Sequence, residues 1–212
     1  MKQPGLQTSG SGGIASIARS FLLATQNPDG GWGYAPGQAS LVEATAAVVL
    51  ALDDPAPAAE RERALAWLQG GQHADGGWGL NHADTHSSWL TAWALLALAR
   101  AGAAGGIYGR AIEWLLAAPI LSAPQDDLQR GDVFRKLSID ASLRGWPWRP
   151  GEGSWVEPTS LAMLALQSVP AAASDPPVAA RLAEAVRYLQ DRRCRDGGWN
   201  FGNPYMVGAA LP

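Results

Sequence analysis

Residues 26–33, which read QNPDGGWG, form a turn motif that decides the fold because it returns along the chain. Residues 72–79 read QHADGGWG, and a third copy, DGGW, begins at Asp196. A reduced copy, GWPW at residues 145–148, lies between the second and the third. Asp-Gly-Gly is turn chemistry, since glycine takes positive φ at no steric cost and aspartate bonds the backbone just beyond it. Each tryptophan is therefore predicted to fold back as a wedge between neighbouring helical hairpins.

A helix is predicted upstream of each turn, because an aromatic residue followed by leucine recurs there among apolar residues at helical spacing. The four pairs are Phe21-Leu22, Trp67-Leu68, Trp114-Leu115 and Tyr188-Leu189. Gln26 and Gln72 each precede a turn tryptophan by six residues, and Gln190 precedes Trp199 by nine. A glutamine amide at that place is expected to bond free carbonyls at a helix end and to hold the indole against it.

A second, almost wholly apolar helix is predicted downstream of three turns, at residues 45–52, 91–98 and 159–166. Its register is fixed, since Thr45, Thr91 and Thr159 each stand thirteen residues after a turn tryptophan. A helix that is apolar all round is a buried helix, so its more amphipathic partner lies outside it. The repeating unit is therefore an outer helix, a Gly-Gly-Trp turn, an inner helix and a short loop.

The composition excludes several classes of protein. The 212 residues, 47% of them hydrophobic and 17% charged, suit one globular domain with a core. The net charge of -3, without a long basic run, argues against nucleic acid as a partner. No stretch reaches the roughly 18 apolar residues of a membrane-spanning helix. Cys194 is the single cysteine, which excludes an internal disulfide, and it is expected to lie in a loop or at a helix end with no catalytic role.

Residues 1–13, rich in Gly, Ser, Gln and Pro, are predicted to be disordered, and residues 14–212 to form a single α/α repeat domain. No cofactor is predicted. A cytoplasmic location is predicted, and peripheral membrane association is left open.

The turn units resemble the QW motifs of squalene–hopene and oxidosqualene cyclases, and residues 155–161, WVEPTSL, resemble a segment that opens inner helices in bacterial members. The wider resemblance, from about Ile14 onward, is to the repeat superfamily that includes protein prenyltransferase β subunits. It implies an all-α, (α/α) toroid of helical hairpins whose inner helices line an apolar cavity, in which the family folds polyprenyl chains. About three and a half hairpins can be counted, so a partial ring is predicted, with a polyprenyl or triterpene-type molecule as its ligand.

Cyclases of this family resemble one another in an Asp-x-Asp-Asp-Thr-Ala motif that supplies the initiating acid. An alkene is a very weak base, so its proton donor needs neighbouring carboxyls and hydrogen bonds in a dry site. The matching register here is LVEATA at residues 41–46, in which Glu43 is the one acid and Leu41 and Ala44 replace the flanking aspartates. Glu43 is the candidate catalytic residue, and Glu157, at the same place in the third unit, is a candidate ligand-binding residue. The alternative is structural, since an acid near a helix N-terminus complements its dipole and bonds free N–H groups.

A prenyltransferase-type function would need a zinc site that activates an acceptor thiolate. His82, Asp84 and His86 carry side chains that bind metals, but they lie upstream of the inner helix. The family's Asp-x-Cys pair would fall at about Ser87 and Trp89, and neither residue matches. No metal site is therefore predicted, and Asp84 is interpreted as a cap or turn residue.

Tryptophans beyond the turn motif are the candidate ligand-binding residues, because aromatic faces stabilise carbocations. Trp89, Trp93 and Trp155 are the candidates, and Trp146 and Trp148 could line the same groove. Packing between hairpins is the alternative for most of them. Counted back from the inner-helix threonine, Trp89 stands where the first and third units have glutamate, so the repeat explains it least.

The spacing also predicts that the array is cut short before a fourth inner helix, because thirteen residues after Trp199 comes Pro212, the last residue. Open toroid edges would then favour self-association or a partner subunit. Three hypotheses follow: a terpene-cyclase-like protein that is a segment or subunit of a complete enzyme, a non-catalytic binding or scaffold protein that keeps the fold without the acid motif, and a gene fragment without activity of its own.

Overall fold

The computed structural model describes residues 11–52, 58–103, 106–121 and 139–202, and helices account for more than half of these. The helices are α1 (Ser11–Ala24), α2 (Val42–Ala51), α3 (Ala58–Gly70), α4 (Leu90–Arg100), α5 (Ile107–Ala117), α6 (Val156–Gln167), α7 (Pro170–Ala173) and α8 (Pro176–Asp191). The described residues form no strand, although an isolated bridge pairs Trp146 with Trp155. The all-α fold class predicted from the repeats is therefore confirmed.

The boundaries of the elements differ slightly from the predicted ones. Helix α1 begins at Ser11, inside the segment 1–13 that was predicted to be disordered. The inner helices α2, α4 and α6 begin one to three residues before their threonines. Residues 1–10 lie outside the described residues. So does Pro212, which stands where the threonine of a fourth inner helix would fall.

The helices pack in two layers. Helix α4 lies between α2 and α6 and packs against both, which makes an inner layer of three neighbours. In the outer layer, α3 packs on α2 and α4, α5 packs on α4, and α8 packs on α6 and α5. Buried leucines, alanines and tryptophans fill the space between the layers. No helix in the described ranges is long and apolar enough to span a bilayer.

The thirteen-residue spacing between turn tryptophan and inner-helix threonine has a direct physical cause. The backbone N–H of Trp32 donates a hydrogen bond to Thr45 Oγ1 at 2.9 Å. The equivalent bonds join Trp78 to Thr91 at 2.9 Å and Trp146 to Thr159 at 2.8 Å. All three threonines are fully buried, so each hydroxyl satisfies a backbone donor that water cannot reach. Each bond also fixes the rotation of its inner helix.

The turn indoles bind each turn to the outer helix before it. Each turn indole Nε1 donates to the carbonyl of the leucine that follows the outer-helix aromatic residue. These bonds join Trp32 to Leu22 (2.8 Å), Trp78 to Leu68 (2.7 Å), Trp146 to Leu115 (2.8 Å) and Trp199 to Leu189 (2.7 Å). The aromatic residues Phe21, Trp67, Trp114 and Tyr188 therefore occupy equivalent places, as predicted. Their surroundings differ, since Phe21 is 55% exposed and Tyr188 is buried.

Glutamine side chains join successive hairpins. Gln26 Nε2 donates to the carbonyl of Gly30 in its own turn, at 2.8 Å, and to that of Glu60 in the first turn of α3, at 2.9 Å. Gln72 Nε2 repeats the pattern with the carbonyls of Gly76 and Ile107, at 2.9 and 3.0 Å. In the last turn the corresponding place belongs to Arg193, not Gln190: Arg193 Nε donates to the Gly197 carbonyl at 3.2 Å.

The first glycine of the turn is required by its backbone and by its neighbour. Gly30 has a φ of 97°, which L side chains rarely adopt. A Cβ atom at Gly30 would also lie 2.7 Å from the Arg63 carbonyl oxygen of the next outer helix. The turn can therefore approach α3 closely because glycine stands here.

The third turn lacks the glutamine and the aspartate, and Arg181 of α8 takes their place. Arg181 Nη1 donates to the Arg144 carbonyl at 2.9 Å, and Nη2 donates to the Gly145 carbonyl. Arg181 stands seven residues before Tyr188, as Glu60 stands before Trp67. The same position of the outer helix thus contacts the turn through a side chain at Arg181 and through a backbone carbonyl at Glu60.

Candidate functional site

The side of the inner helices that points away from the outer layer is the candidate ligand surface. Each inner-helix threonine faces its turn, and at about 100° per residue the positions two before, two after and five after it lie on the opposite side. These positions are Glu43, Ala47 and Leu50 on α2, Trp93 and Leu96 on α4, and Glu157, Leu161 and Leu164 on α6, whereas Trp89, two residues before Thr91, directly precedes α4. We call the eight helical residues the inner face. Leu164 is 53% exposed, and Leu50 and Leu96 are half-buried, so the described residues leave an apolar strip uncovered.

Glu43 lies half-buried in the first turn of α2, and its carboxylate accepts a hydrogen bond from the Tyr34 hydroxyl. This hydrogen bond, followed by burial and the charge of Glu43, raises the pKa of Tyr34 to about 12. A donated hydrogen bond stabilises the carboxylate form of an acid. Leu41 and Ala44 provide no second carboxyl beside it. Glu43 therefore makes a hydrogen bond to its own hairpin and lacks the flanking carboxyls of the family's motif.

Glu157 occupies the first turn of α6 and is exposed. Partial removal of water, followed by the charge of Glu43, raises the pKa of the Glu157 carboxyl. The two glutamates therefore interact electrostatically, although α4 lies between their helices. The sequence register placed these acids on equivalent helix starts, and the structure has both in the first turns of their helices.

Trp89 packs against Trp148 of the next turn, edge to face, with ring centroids 4.4 Å apart and ring planes at 82°. The backbone N–H of Trp89 donates to the Trp148 carbonyl at 3.1 Å. Val42 and Val156 make the equivalent backbone bonds to Leu80 and Phe201. By its backbone bonds, Trp89 thus corresponds to those valines and not to the glutamates, because α4 begins closer to its threonine than α2 and α6 do.

A groove of about 730 Å³ opens beside Trp89, between the second and third turns. Leu80, Leu90 and Trp148 form its apolar wall, and Asp84, His86 and Arg149 line its polar side. Its volume lies within the range of small-molecule sites. Trp89 therefore borders both the inner face and this groove.

Trp155 directly precedes α6, where its backbone N–H donates to the Trp146 carbonyl at 3.0 Å. Its side chain is 39% exposed. Trp93 is half-buried in the middle of the inner face, and its indole Nε1 is buried without a hydrogen-bond partner among the described residues. The three candidate tryptophans therefore have different environments: a groove wall, a helix start and an inner-face centre.

His82, Asp84 and His86 do not converge on one point. The His82 ring stacks on Trp67, with centroids 4.3 Å apart, and its Nε2 lies 2.9 Å from the Trp67 carbonyl oxygen. Asp84 accepts hydrogen bonds from the backbone N–H groups of Leu80 and His86, at 2.8 and 3.0 Å, which confirms its interpretation as a turn residue. No cluster of three metal-ligating side chains occurs in the part of the chain that the structure describes.

Sequence reasoning named Trp148 as a possible groove residue, but it did not recognise that the residue two positions after each turn tryptophan forms a repeated set. Tyr34 reaches Glu43 from this position, and Trp148 reaches Trp89. The members of the set are Tyr34, Leu80, Trp148 and Phe201. Their shared spacing and large side chains were a visible signal, because an apolar or aromatic residue follows every turn at this place.

No family model matches this chain. The chain is 34% identical over 167 residues to an uncharacterized protein, y4kT, of Sinorhizobium fredii, which covers 68% of this chain and 31% of that protein. It is 45% identical over 67 residues to drimenyl diphosphate synthase of Streptomyces showdoensis, which covers 30% of this chain and 13% of the synthase. The chain thus spans about a third or less of the length of these curated relatives.

The similarity to solved structures covers more of this chain than the similarity to the curated relatives does. The apo type II terpene cyclase MstE from Scytonema superposes with a TM-score of 0.57 at 19% identity, covering 87% of this chain and 51% of that chain. The fold of this chain is therefore similar to that of type II terpene cyclases. A variant of the same cyclase in complex with its substrate geranylgeranyl dihydroxybenzoate gives a TM-score of 0.56, with 87% and 50% of the two chains covered. At this identity the likeness concerns the fold alone.

Proposed function

We propose that this chain forms part of the wall of a terpene-cyclase-like cavity and binds an apolar polyprenyl or triterpene-type molecule on its inner face. In this proposal the domain at residues 14–212 acts as a segment or subunit of a cyclase. Another segment or subunit completes the partial ring along its open edges.

The uncovered leucine strip is the observation that carries the proposal. Leu50, Leu96 and Leu164 stand at one level, five residues after their threonines, on three successive inner helices. Fully burying one leucine side chain is worth about 1.5–3 kcal/mol, so a hydrocarbon chain laid across the strip would gain several such contributions. The complex of MstE with geranylgeranyl dihydroxybenzoate supports this kind of ligand for this fold.

The tryptophans support the same class of ligand. Trp93 lies in the centre of the inner face, Trp89 borders its edge, and Trp155 is exposed where α6 begins. Aromatic faces bind apolar chains and attract positive charge. A polyprenyl chain would therefore find both apolar contact and rings able to stabilise a cationic centre.

Binding is tested by a pair of matched substitutions. Leu164→Gln places a polar group on the inner face, and Val186→Gln makes a similar change on the outer helix α8, where the side chain is 42% exposed. Quenching of tryptophan fluorescence by geranylgeraniol in mixed micelles measures the affinity. We expect Leu164→Gln to weaken binding severalfold and Val186→Gln to leave it unchanged. Equal affinities for the three proteins would exclude the inner face as the site.

A second candidate function, binding or scaffolding without catalysis, is favoured by the environment of Glu43. The Tyr34 hydroxyl donates to this carboxylate, and Leu41 and Ala44 stand where the family's motif has flanking acids. Incubation of the protein with squalene and polyprenyl substrates, followed by analysis of cyclic products, separates the two candidates. Products that vanish in a folded Glu43→Gln variant would assign catalysis to Glu43, and absence of products with ligand binding retained would favour the scaffold.

A further inference from the structure

The indole N–H of Trp93 is a buried donor that has no acceptor among the described residues. The indoles of the turns and of the outer helices, in contrast to that of Trp93, have protein acceptors. The turn tryptophans donate to leucine carbonyls, and Trp67 and Trp114 donate to the turn carboxylates of Asp29 and Asp75, both at 3.1 Å. Trp93 therefore differs from six other indoles of this chain, each of which donates a hydrogen bond to a protein oxygen.

The repeat itself does not require an indole at this place. The equivalent positions, two residues after the inner-helix threonine, carry Ala47 on α2 and Leu161 on α6. A phenylalanine or leucine at position 93 would fill apolar space without burying a polar atom. Leaving a buried donor unpaired costs free energy, so a tryptophan here needs an acceptor that the described residues do not supply.

The surroundings limit what that acceptor can be. Glu43 and Glu157 lie in the first turns of the inner helices α2 and α6, to either side of α4. The Glu43 carboxyl is already engaged as the acceptor for the Tyr34 hydroxyl. Leu50, Leu96 and Leu164 offer no polar atom. Near the centre of this surface, a ligand oxygen would therefore find its donor in the indole of Trp93.

We propose that Trp93 is a specificity-determining residue whose indole N–H donates a hydrogen bond to an oxygen atom of the ligand. The ligand is then a terpenoid that carries a hydroxyl, carbonyl or ether oxygen on an otherwise apolar skeleton, and not a pure hydrocarbon. This inference rests on the proposed function and deepens it by naming the chemistry of the bound molecule.

Two probes that share a sesquiterpene skeleton test the inference, farnesol with a hydroxyl and farnesene without one. Affinities are measured for the wild type, for Trp93→Phe and for Trp67→Phe, which removes an indole on the outer helix α3. Loss of one neutral hydrogen bond corresponds to roughly threefold to tenfold in affinity. We expect Trp93→Phe to weaken farnesol binding by this factor without changing farnesene binding, and Trp67→Phe to change neither.

The outcomes separate the inference from the proposed function. Equal effects of Trp93→Phe on both probes, or no effect on either, would overturn the inference and leave the proposed function standing. Failure of both probes to bind the wild type would overturn the two together. Should Trp93→Phe not fold, the wild-type protein still decides: the indole N–H resonance of Trp93 must move downfield on addition of farnesol and not on addition of farnesene.

Discussion

Arg181 lies over the indole of Trp146, with its guanidinium carbon 3.8 Å from the ring centroid. The same side chain donates to the carbonyls of Arg144 and Gly145 and is almost fully buried. Burial lowers the pKa of Arg181 to about 10, so the guanidinium stays charged at neutral pH. One arginine thus replaces both the glutamine and the aspartate of the other turns.

We predict that Arg181→Met lowers the free energy of unfolding by about 2–3 kcal/mol, because two carbonyls lose their donor and the cation–π contact disappears. Glu184 keeps its bonds from Arg144, at 2.8 and 3.1 Å, so the substitution leaves no carboxylate unpaired. Urea denaturation measures the loss. Arg187→Met, at an exposed position of the same helix, is the control and should change stability little. Equal effects of the two substitutions would contradict the structural role of Arg181.

Thr91 offers a second test, because its hydroxyl is the acceptor for the Trp78 backbone N–H at 2.9 Å. Thr91→Val keeps the shape but removes the acceptor, which leaves a buried donor unpaired. We predict a loss of about 1–3 kcal/mol in the free energy of unfolding. Thr91→Ser keeps the hydroxyl and loses one methyl group, so it should cost less than valine. A serine variant less stable than the valine variant would show that packing, and not the hydrogen bond, fixes the spacing.

This bond also explains why the fold could be predicted from the sequence. A backbone donor at Trp78 and a hydroxyl acceptor at Thr91 require a constant separation, and a constant separation is visible in the sequence. The indole bonds to leucine carbonyls likewise link residues ten apart in three of the four turns, such as Trp32 and Leu22. Local contacts with a fixed register therefore specified the repeat.

Contacts between hairpins could not be predicted in the same way. The role of Arg181 could not be predicted, because nothing in the sequence of α8 shows that the turn at residues 144–146 lacks its own donors. Gln190 precedes Trp199 by nine residues, whereas the place equivalent to Gln26 is defined by a bond to the carbonyl of the turn glycine, which Arg193 makes. Tyr34 was missed, and the contact of Trp148 with Trp89 was not anticipated, because in each case the partner lies on another element. The candidate site depends on such contacts, so its details were less predictable than the fold.

The lowered pKa values of the turn aspartates Asp29 and Asp75 lead to a prediction of how stability depends on pH. Burial acts to raise the pKa of Asp75, but hydrogen bonds from Gly77, Ser87 and Trp114, with the charge of His73, leave the pKa below its ordinary value of 3.8. The folded state therefore binds fewer protons than the unfolded state near that pH. The stabilisation is present above pH 3.8 and is lost as the pH falls through the lower, folded-state pKa.

We predict that Asp75→Asn lowers the free energy of unfolding at pH 7 by about 0.5–1 kcal/mol, a small value because water reaches this exposed carboxyl. The decline in stability below pH 3.8 should also become shallower, because one acid with a lowered pKa is gone. Thermal unfolding followed by circular dichroism between pH 2 and pH 7 measures both effects. Glu113→Gln, an exposed acid on α5, is the matched control. An unchanged pH profile in Asp75→Asn would refute the role of this carboxylate.

The bond between Tyr34 and Glu43 gives the last prediction, which bears on the candidate catalytic residue. The hydrogen bond to Glu43, followed by burial and the Glu43 charge, raises the pKa of Tyr34 from 10.0 to about 12. Glu43→Gln removes the charge and weakens the bond, so the pKa of Tyr34 should fall towards 10.0 while the protein stays folded, since Tyr34 is largely exposed. The ring-carbon NMR signal of Tyr34, assigned by its absence in Tyr34→Phe, reports this titration directly. If the signal titrates at the same pH with and without the Glu43 carboxylate, then the two side chains are not bonded in solution. Glu43 would then regain the freedom that a proton donor needs.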